Sequence, residues 1–160
     1  MVKIAFVCHG NICRSPMAEF VFKNIIASGG VEKEFSVSSL ATSDEEIWQG
    51  VGNPIHHGTL GIFKKYKIPY DTNKRAVQLC KTDYDKYDLF IGMDFANIRN
   101  MNRIFTSDPE NKIKLLLDYV GEHREVADPW YTGNFEKTYS DIVLGCCGVL
   151  SYLSTQGEEK

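Results

Sequence analysis

The chain has 160 residues, 43% of them hydrophobic and 24% charged, with a formal charge of −3. That length suits one domain, which buries roughly 68–70% of its unfolded surface and needs neither disulfides nor a metal to fold. The charge balance, with no long Lys/Arg run, excludes nucleic acid as an expected partner, and no apolar stretch approaches the ~20 residues of a membrane helix.

In chain order, Val2–Val7 is a short apolar run ending in a Gly-containing turn, the pattern of a buried parallel strand. It is too short for a signal peptide. Ser15-Pro16 opens a helix, with Ser15 as N-cap and Pro16 pre-organised for the first turn. Ala18, Val21, Phe22 and Ile25 form its apolar stripe, and Gly29 closes it. Phe35–Ser39 reads as a second strand, followed by a polar loop holding Trp48, then a helix over Pro54–Tyr66. Leu89–Met93 is a third strand, Phe95–Met101 a helix and Ile113–Leu117 a fourth strand. Phe135, Tyr139, Ile142, Val143, Cys146, Val149, Leu150 and Leu153 make a final helical stripe of about five turns. This alternation predicts an α/β fold: one domain over residues 1–160, a four-stranded parallel sheet and helices on both faces. Ligands of such sheets bind beyond the carboxyl ends of the strands, so the loop after Val7 is the first place to look.

That loop reads Cys8-His9-Gly10-Asn11-Ile12-Cys13-Arg14-Ser15. Between a strand and a helix, its backbone N–H groups and the helix N-terminus converge into an anion cradle. Gly10 and Asn11 tolerate the left-handed conformations of a tight loop. Arg14 adds a planar fork for two phosphoryl oxygens. A thiol at the mouth feels this positive potential, which favours the attacking thiolate, and the Ser15 hydroxyl is placed to donate to its sulfur. A lone cysteine after a strand is usually a small buried residue; the Gly, Asn, Arg and Ser around this one turn the reading toward chemistry. Further on, Asp128-Pro129 lies in a loop before the last helix, where Pro129 keeps Asp128 extended. Alone it is a simple turn, but beside an anion cradle it is also the candidate carboxyl for giving a proton to a leaving group on this side of the sheet.

The loop with its flanks, Val7-Cys8-x-Gly10-Asn11-Ile12-Cys13-Arg14-Ser15-Pro16-x-Ala18-Glu19, resembles the signature of the low-molecular-weight protein tyrosine phosphatases. The likeness continues through Ser39 to Thr42, Gly52-Asn53-Pro54, Ala76 to Leu79, Met93-Asp94 with Asn97, and Asp128-Pro129-Trp130-Tyr131. It implies that Cys8 is the nucleophile, that Arg14 binds the phosphate and transition state, and that Asp128 is the general acid and then base. It also implies that Asn11, Ser15 and Ser39 brace the loop, and that Trp48, Trp130 and Tyr131 form the slot for the phenyl ring. His9 stands at the rim, where many relatives have Leu, either touching substrate or facing solvent. Cys13 is the implied redox partner of Cys8, with plain packing as the other reading. Many relatives carry a His ahead of their Ala-Arg-Gln segment where this chain reads Lys74-Arg75-Ala76-Val77-Gln78, so that bracing link is assigned to no residue. One extra residue lies between Trp48 and Gly52.

The expected partner is a phosphotyrosine-bearing protein, with no nucleic acid, no membrane and no cofactor or metal. The five cysteines are odd in number and lack Cys-x-x-Cys spacing, which predicts free thiols in a reducing cytoplasm. A monomer is the default expectation. Three rival readings differ at named residues. An arsenate reductase on the same fold needs two relay cysteines, one near the end of the third strand, where the chain reads Phe90-Ile91-Gly92-Met93-Asp94. Protein-arginine phosphatases carry Thr where this chain has Ile12. A catalytically dead phosphotyrosine-binding module would be expected to lack Cys8 or Asp128.

Overall fold

The elements of the computed structural model, which describes residues 1–158, run in chain order as β1 (Val2–Cys8), α1 (Arg14–Ser28), β2 (Phe35–Ala41), β3 (Ile47–Trp48), β4 (Val51–Gly52), α2 (His57–Tyr66), β5 (Leu89–Gly92), α3 (Phe95–Phe105), β6 (Ile113–Leu115), α4 (Pro129–Thr132) and α5 (Phe135–Glu158). β1 buries apolar side chains on both faces: Ile4, Phe6 and Cys8 enter one layer, Ala5 and Val7 the other. A strand covered on both sides belongs inside a parallel sheet. The order is β2-β1-β5-β6, all parallel, and β1 pairs with β2 from Val2–Phe35 to Cys8–Ala41.

Residues from α1 (Met17, Val21, Phe22) and α5 (Ile142, Cys146, Val149) pack on the Ile4–Phe6 face. Met101 and Phe105 of α3 pack on the Ala5–Val7 face. The predicted α/β architecture, with helices on both faces, is the one observed. No helix among the described residues is long and apolar enough to cross a membrane.

Several expected boundaries are corrected. Helix α1 begins at Arg14, its N-cap is Cys13, and no side chain caps it. Ser15 is not the cap because its hydroxyl is engaged with Asn11 and Cys8 instead. Helix α2 starts at His57 rather than Pro54, since the backbone N–H of His56 leaves the chain to bond the Ile12 carbonyl at 2.9 Å. Helix α3 runs on to Phe105, which is buried with Met101. β6 stops at Leu115, which pairs with the last residue of β5, Gly92; with no partner left, Leu116–Val120 coils into a 3-10 turn. The polar loop holding Trp48 is a hairpin, β3–β4, turned through Gln49 and Gly50, both with positive φ (49° and 80°). Two left-handed residues are what a two-residue hairpin turn requires, which accounts for the extra residue. The segment after Asp128 is a one-turn helix rather than loop.

The chain leaves β1 toward β2 on one side and later returns to place β5 on the other, so the order reverses between β1 and β5. This is the topological switch point, where the carboxyl ends of two strands diverge and open a crevice. The Cys8–Ser15 loop follows one of these strands and Met93-Asp94 the other.

Two glycines test the packing. A Cβ on Gly145 of α5 would lie 2.4 Å from Cγ of the fully buried Leu116, whereas one on Gly61 of α2 meets nothing within 4 Å. Gly61→Ala should therefore stabilise by about 0.5–1 kcal/mol through helix propensity alone. Gly145→Ala should destabilise by about 1–2 kcal/mol, because overpacking outweighs the same gain. Urea denaturation of the two variants reads the signs, and equal signs would refute this close α5–Leu116 contact.

Candidate active site

The first-turn N–H groups of a helix need acceptors, and no side chain caps α1. The Ser15 N–H donates instead to Cys8 Sγ at 3.4 Å, and the Asn11 N–H approaches the same sulfur at 3.3 Å. The loop backbone is thus wrapped around the thiol of Cys8, which is itself buried. Asn11 adopts a left-handed conformation (φ 59°) and is 1% exposed, so its amide must be satisfied inside. It is: Nδ2 donates to Ser15 Oγ (2.8 Å) and Ser39 Oγ (2.9 Å), while Oδ1 accepts from the Val77 N–H (3.0 Å). Cys8 Sγ donates to Ser15 Oγ at 3.1 Å in the thiol form, the reverse of the direction expected from sequence, and the Ser15 hydroxyl faces the Leu40 carbonyl at 3.5 Å.

The Arg14 side chain is 3% exposed, and a buried guanidinium needs partners. Nη1 donates to Asp94 Oδ2 (2.8 Å) and to the Val126 carbonyl (2.9 Å), and Nη2 to Asp128 Oδ2 (3.4 Å). Burial works against the charge, but Cys8, Asp94 and Asp128 outweigh it and hold Arg14 above its usual value. Asp94 caps α3 through the Asn97 N–H (2.7 Å), and Asn97 Oδ1 accepts in return from the Asp94 N–H. The carboxylate orienting Arg14 is thereby fixed by the switch-point strand.

Behind the loop, Ser39 Oγ donates to Glu19 Oε1 (2.6 Å), and Lys23 donates to Oε2 of the same carboxylate (2.6 Å). Lys74 Nζ donates to the Ser39 carbonyl (2.9 Å) and lies 3.9 Å from Glu19. Burial pulls Lys74 below its usual value, against the pull of Glu19. Lys74 was assigned nothing from sequence, yet it sits on the bracing serine. Glu19 was quoted only as part of the signature. A lysine in a segment otherwise read as loop carries no local sign of burial.

At the mouth is a cavity of about 150 Å³ whose walls include Cys8, Ile12, Arg14, Asp128, Trp130 and Tyr131. Asp128 is the N-cap of α4: Oδ1 accepts from the Trp130 N–H (3.0 Å), leaving Oδ2 turned to Arg14. His9 lies at the rim, with Nε2 2.9 Å from Glu45 Oε2. Glu45 and Glu46 also line the cavity and were not foreseen; Trp48, which was, points out from the two-residue β3 and is not in the wall. Trp48 is 76% exposed, because nothing packs over so short a hairpin. Cys13 also lines the cavity; burial, then Cys8 and Asp128, push its thiol up to about 12. Cys80 is exposed and outside the cavity. A larger cavity of about 830 Å³ opens toward the amino ends of the strands, near Val2, Asp88 and Tyr119, and its walls carry no cysteine.

Residues 3–159 match the family model of the low molecular weight phosphotyrosine protein phosphatases. The chain is 37% identical over 158 residues to the low molecular weight protein-tyrosine-phosphatase YfkJ of Bacillus subtilis, covering 98% of each chain. The crystal structure of YfkJ superposes with a TM-score of 0.89 at 38% identity, over 100% of this chain and 98% of that one. SP-PTP, a low molecular weight protein tyrosine phosphatase from Streptococcus pyogenes, is 45% identical with a TM-score of 0.84 over 96% and 93% of the two chains. The Drosophila arginine phosphatase DARP is similar at 26% identity and a TM-score of 0.82, over 95% and 98%.

Lys74→Met removes the donor from the Ser39 carbonyl and a cation from beside Glu19. Leaving a buried acceptor unpaired should cost about 1–3 kcal/mol of stability, with a fall in kcat as the Ser39–Asn11 brace loosens. Chemical denaturation and steady-state turnover measure both. Wild-type values in each would show that the ammonium bears no load.

Proposed function

Since the chain belongs to the low-molecular-weight phosphotyrosine protein phosphatase family, we propose that it hydrolyses phosphotyrosine in proteins through a phosphocysteine intermediate. One observation carries this reading: Cys8 Sγ receives two backbone N–H groups at the floor of a cavity that also holds Arg14 and, at its edge, Asp128. The Cys8 thiolate attacks phosphorus in line, and the P–O bond to tyrosine breaks. Arg14 and the loop amides hold the equatorial oxygens, where charge is spread in the transition state. Asp128, through the Oδ2 that caps nothing, gives its proton to the departing tyrosine oxygen. Water then attacks the phosphocysteine, Asp128 takes the water's proton, and inorganic phosphate leaves as the thiolate is restored. On ionisation the Ser15 hydroxyl turns its proton from the distant Leu40 carbonyl to the sulfur.

The cavity is small beside the ~300–1,000 Å³ of small-molecule pockets. It suits a phosphoryl group and a ring, with the rest of a protein substrate lying outside. Trp130 and Tyr131 offer the ring flat apolar walls. Ile12 on the cavity wall favours tyrosine over arginine, because its branched apolar side chain, where protein-arginine phosphatases carry Thr, has no polar group to orient a guanidinium. Five free cysteines fit a reducing cytoplasm. Residues 1–160 acting as one domain and a monomer complete the reading.

Cys8→Ser should retain the fold and phosphate binding while turnover falls below about a hundredth of wild type, as covalent catalysis is lost. Asp128→Ala should slow phosphotyrosine cleavage by roughly 10²–10⁴-fold. That loss should shrink as the phenol becomes more acidic, because a phenol near pKa ~10 needs its proton most. Single-turnover phenol release across a series of aryl phosphates reads the slope. Identical slopes in both proteins would move the acid role to another carboxylate, and faster hydrolysis of phosphoarginine than phosphotyrosine peptides would overturn the substrate.

Cys13 lines the same cavity as Cys8, which places it for a resolving role once its thiol gives up a proton. Peroxide takes two electrons from the Cys8 thiolate to give a sulfenic acid, and Cys13 condenses with it, releasing water and forming a disulfide. Mild peroxide should inactivate the enzyme and a dithiol restore it. Cys13→Ser should convert much of the loss to irreversible oxidation; equal recovery in both proteins excludes the protective role.

A further inference from the structure

We propose that His56 is a positioning residue for the proton-transfer step, tying the phosphate loop to the one-turn helix that begins at Asp128. The inference rests on the reading of Asp128 as the acid. Helix α4 has four residues, too few to hold itself in place. Contacts from outside fix it, beginning with Arg14 Nη2 on its N-cap Asp128 Oδ2 at 3.4 Å. Thr138 Oγ1 of α5 donates to the Ala127 carbonyl at 3.0 Å, and the His56 ring meets the Trp130 ring edge-on at 5.7 Å. Trp130 is the residue whose N–H holds Asp128 Oδ1, so where its ring rests bears on where the carboxyl points.

His56 is itself anchored on the nucleophile's side. Its backbone N–H donates to the Ile12 carbonyl at 2.9 Å, inside the phosphate loop. Its ring stacks on His57 at 4.1 Å and lies nearly parallel to Phe135 at 5.4 Å. Phe135 in turn presses on Gly58, where a Cβ would come within 2.2 Å of the ring. Nδ1 accepts the Gly58 N–H at 3.0 Å and so caps α2. That bond needs the neutral imidazole with its proton on Nε2. Burial, and then the neighbouring His57, lower the proton affinity of His56 in that sense, against Glu46, which raises it. One residue thus joins the loop that holds Cys8 through its backbone, and the start of α2, the start of α5 and the helix of the acid through its side chain.

A residue acting through Asp128 should leave a defect that depends on the leaving group. His56→Asn keeps a good N-cap for α2 and loses the ring, whereas His56→Phe keeps a ring beside Trp130 and loses the cap. In single-turnover phenol release, His56→Asn should slow phosphotyrosine by roughly 10-fold, short of the ~10²–10⁴ of a missing acid, and leave 2,4-dinitrophenyl phosphate within about twofold of wild type. KM for both should hold. His56→Phe should lose stability yet recover most of the phosphotyrosine rate. An equal loss on both substrates, or wild-type rates in His56→Asn, overturns the proposal. Asp128→Ala run beside them separates the two ideas: if it too shows no leaving-group dependence, the acid reading fails, and if it alone does, only the role of His56 fails.

Discussion

A helix that starts inside a protein without a side-chain cap leaves N–H groups that must find an acceptor. Here α1 offers the Ser15 N–H to the sulfur of Cys8, the loop adds that of Asn11, and the rest of the site follows from that geometry. A Ser15 hydroxyl spent on capping would satisfy the helix and close the cradle. Because Ser15 is drawn to Asn11 and Cys8 instead, the helix end stays available to an anion. The left-handed Asn11 lets the loop turn back so that both amides reach one atom. Its amide then spends two donors and an acceptor on Ser15, Ser39 and Val77, which makes the turn hard to undo.

The second constraint is charge. Arg14 is almost wholly buried, and its position is set by acceptors that lie 80 to 114 residues away in the chain: Asp94, the Val126 carbonyl and Asp128. Asp94 and Asp128 do different work within this arrangement. Asp94 holds Arg14 at 2.8 Å and is itself bonded into the start of α3, so it behaves as a fixed strut. Asp128 stands off at 3.4 Å on a four-residue helix, with one oxygen occupied and the other turned to the cavity. The looser of the two supports is the one that suits the proton transfers proposed for Asp128.

How much of this was legible in the sequence follows from how local each feature is. The phosphate loop could be read because nucleophile, glycine, asparagine and arginine fall within eight consecutive residues between a strand and a helix. The sheet and its helices could be read from runs of apolar residues. What escaped depends on contacts between distant segments. The Ser15 cap was misplaced because Asn11 and Cys8 compete for its hydroxyl. β6 ended early because its partner strand ended. Trp48 was expected in the wall on the strength of resemblance, but a two-residue turn with positive φ at Gln49 and Gly50 aims it at solvent and leaves Glu45 and Glu46 at the rim. Lys74 looks like an ordinary loop polar residue and His56 like a polar residue in the first turn of a helix, and only the fold brings them to Ser39 and Trp130.

The molecule separates what must be rigid from what must adapt. The groups proposed to handle phosphorus are backbone amides and a buried guanidinium, held where the carboxyl ends of β1 and β5 part. The groups that meet the rest of a substrate, Trp130, Tyr131, His9 and Glu45, sit on a one-turn helix and surface loops and are exposed or half-exposed. Phosphoryl chemistry asks for the same geometry with every substrate, whereas protein surfaces differ. A small cavity with a soft rim meets both demands at once, which favours the 150 Å³ cleft over the 830 Å³ one at the amino ends of the strands as the place for the proposed reaction. Volume alone binds nothing. Here the donors that converge on Cys8 lie where the ends of β1 and β5 part, which is where an open sheet of this order offers a binding crevice.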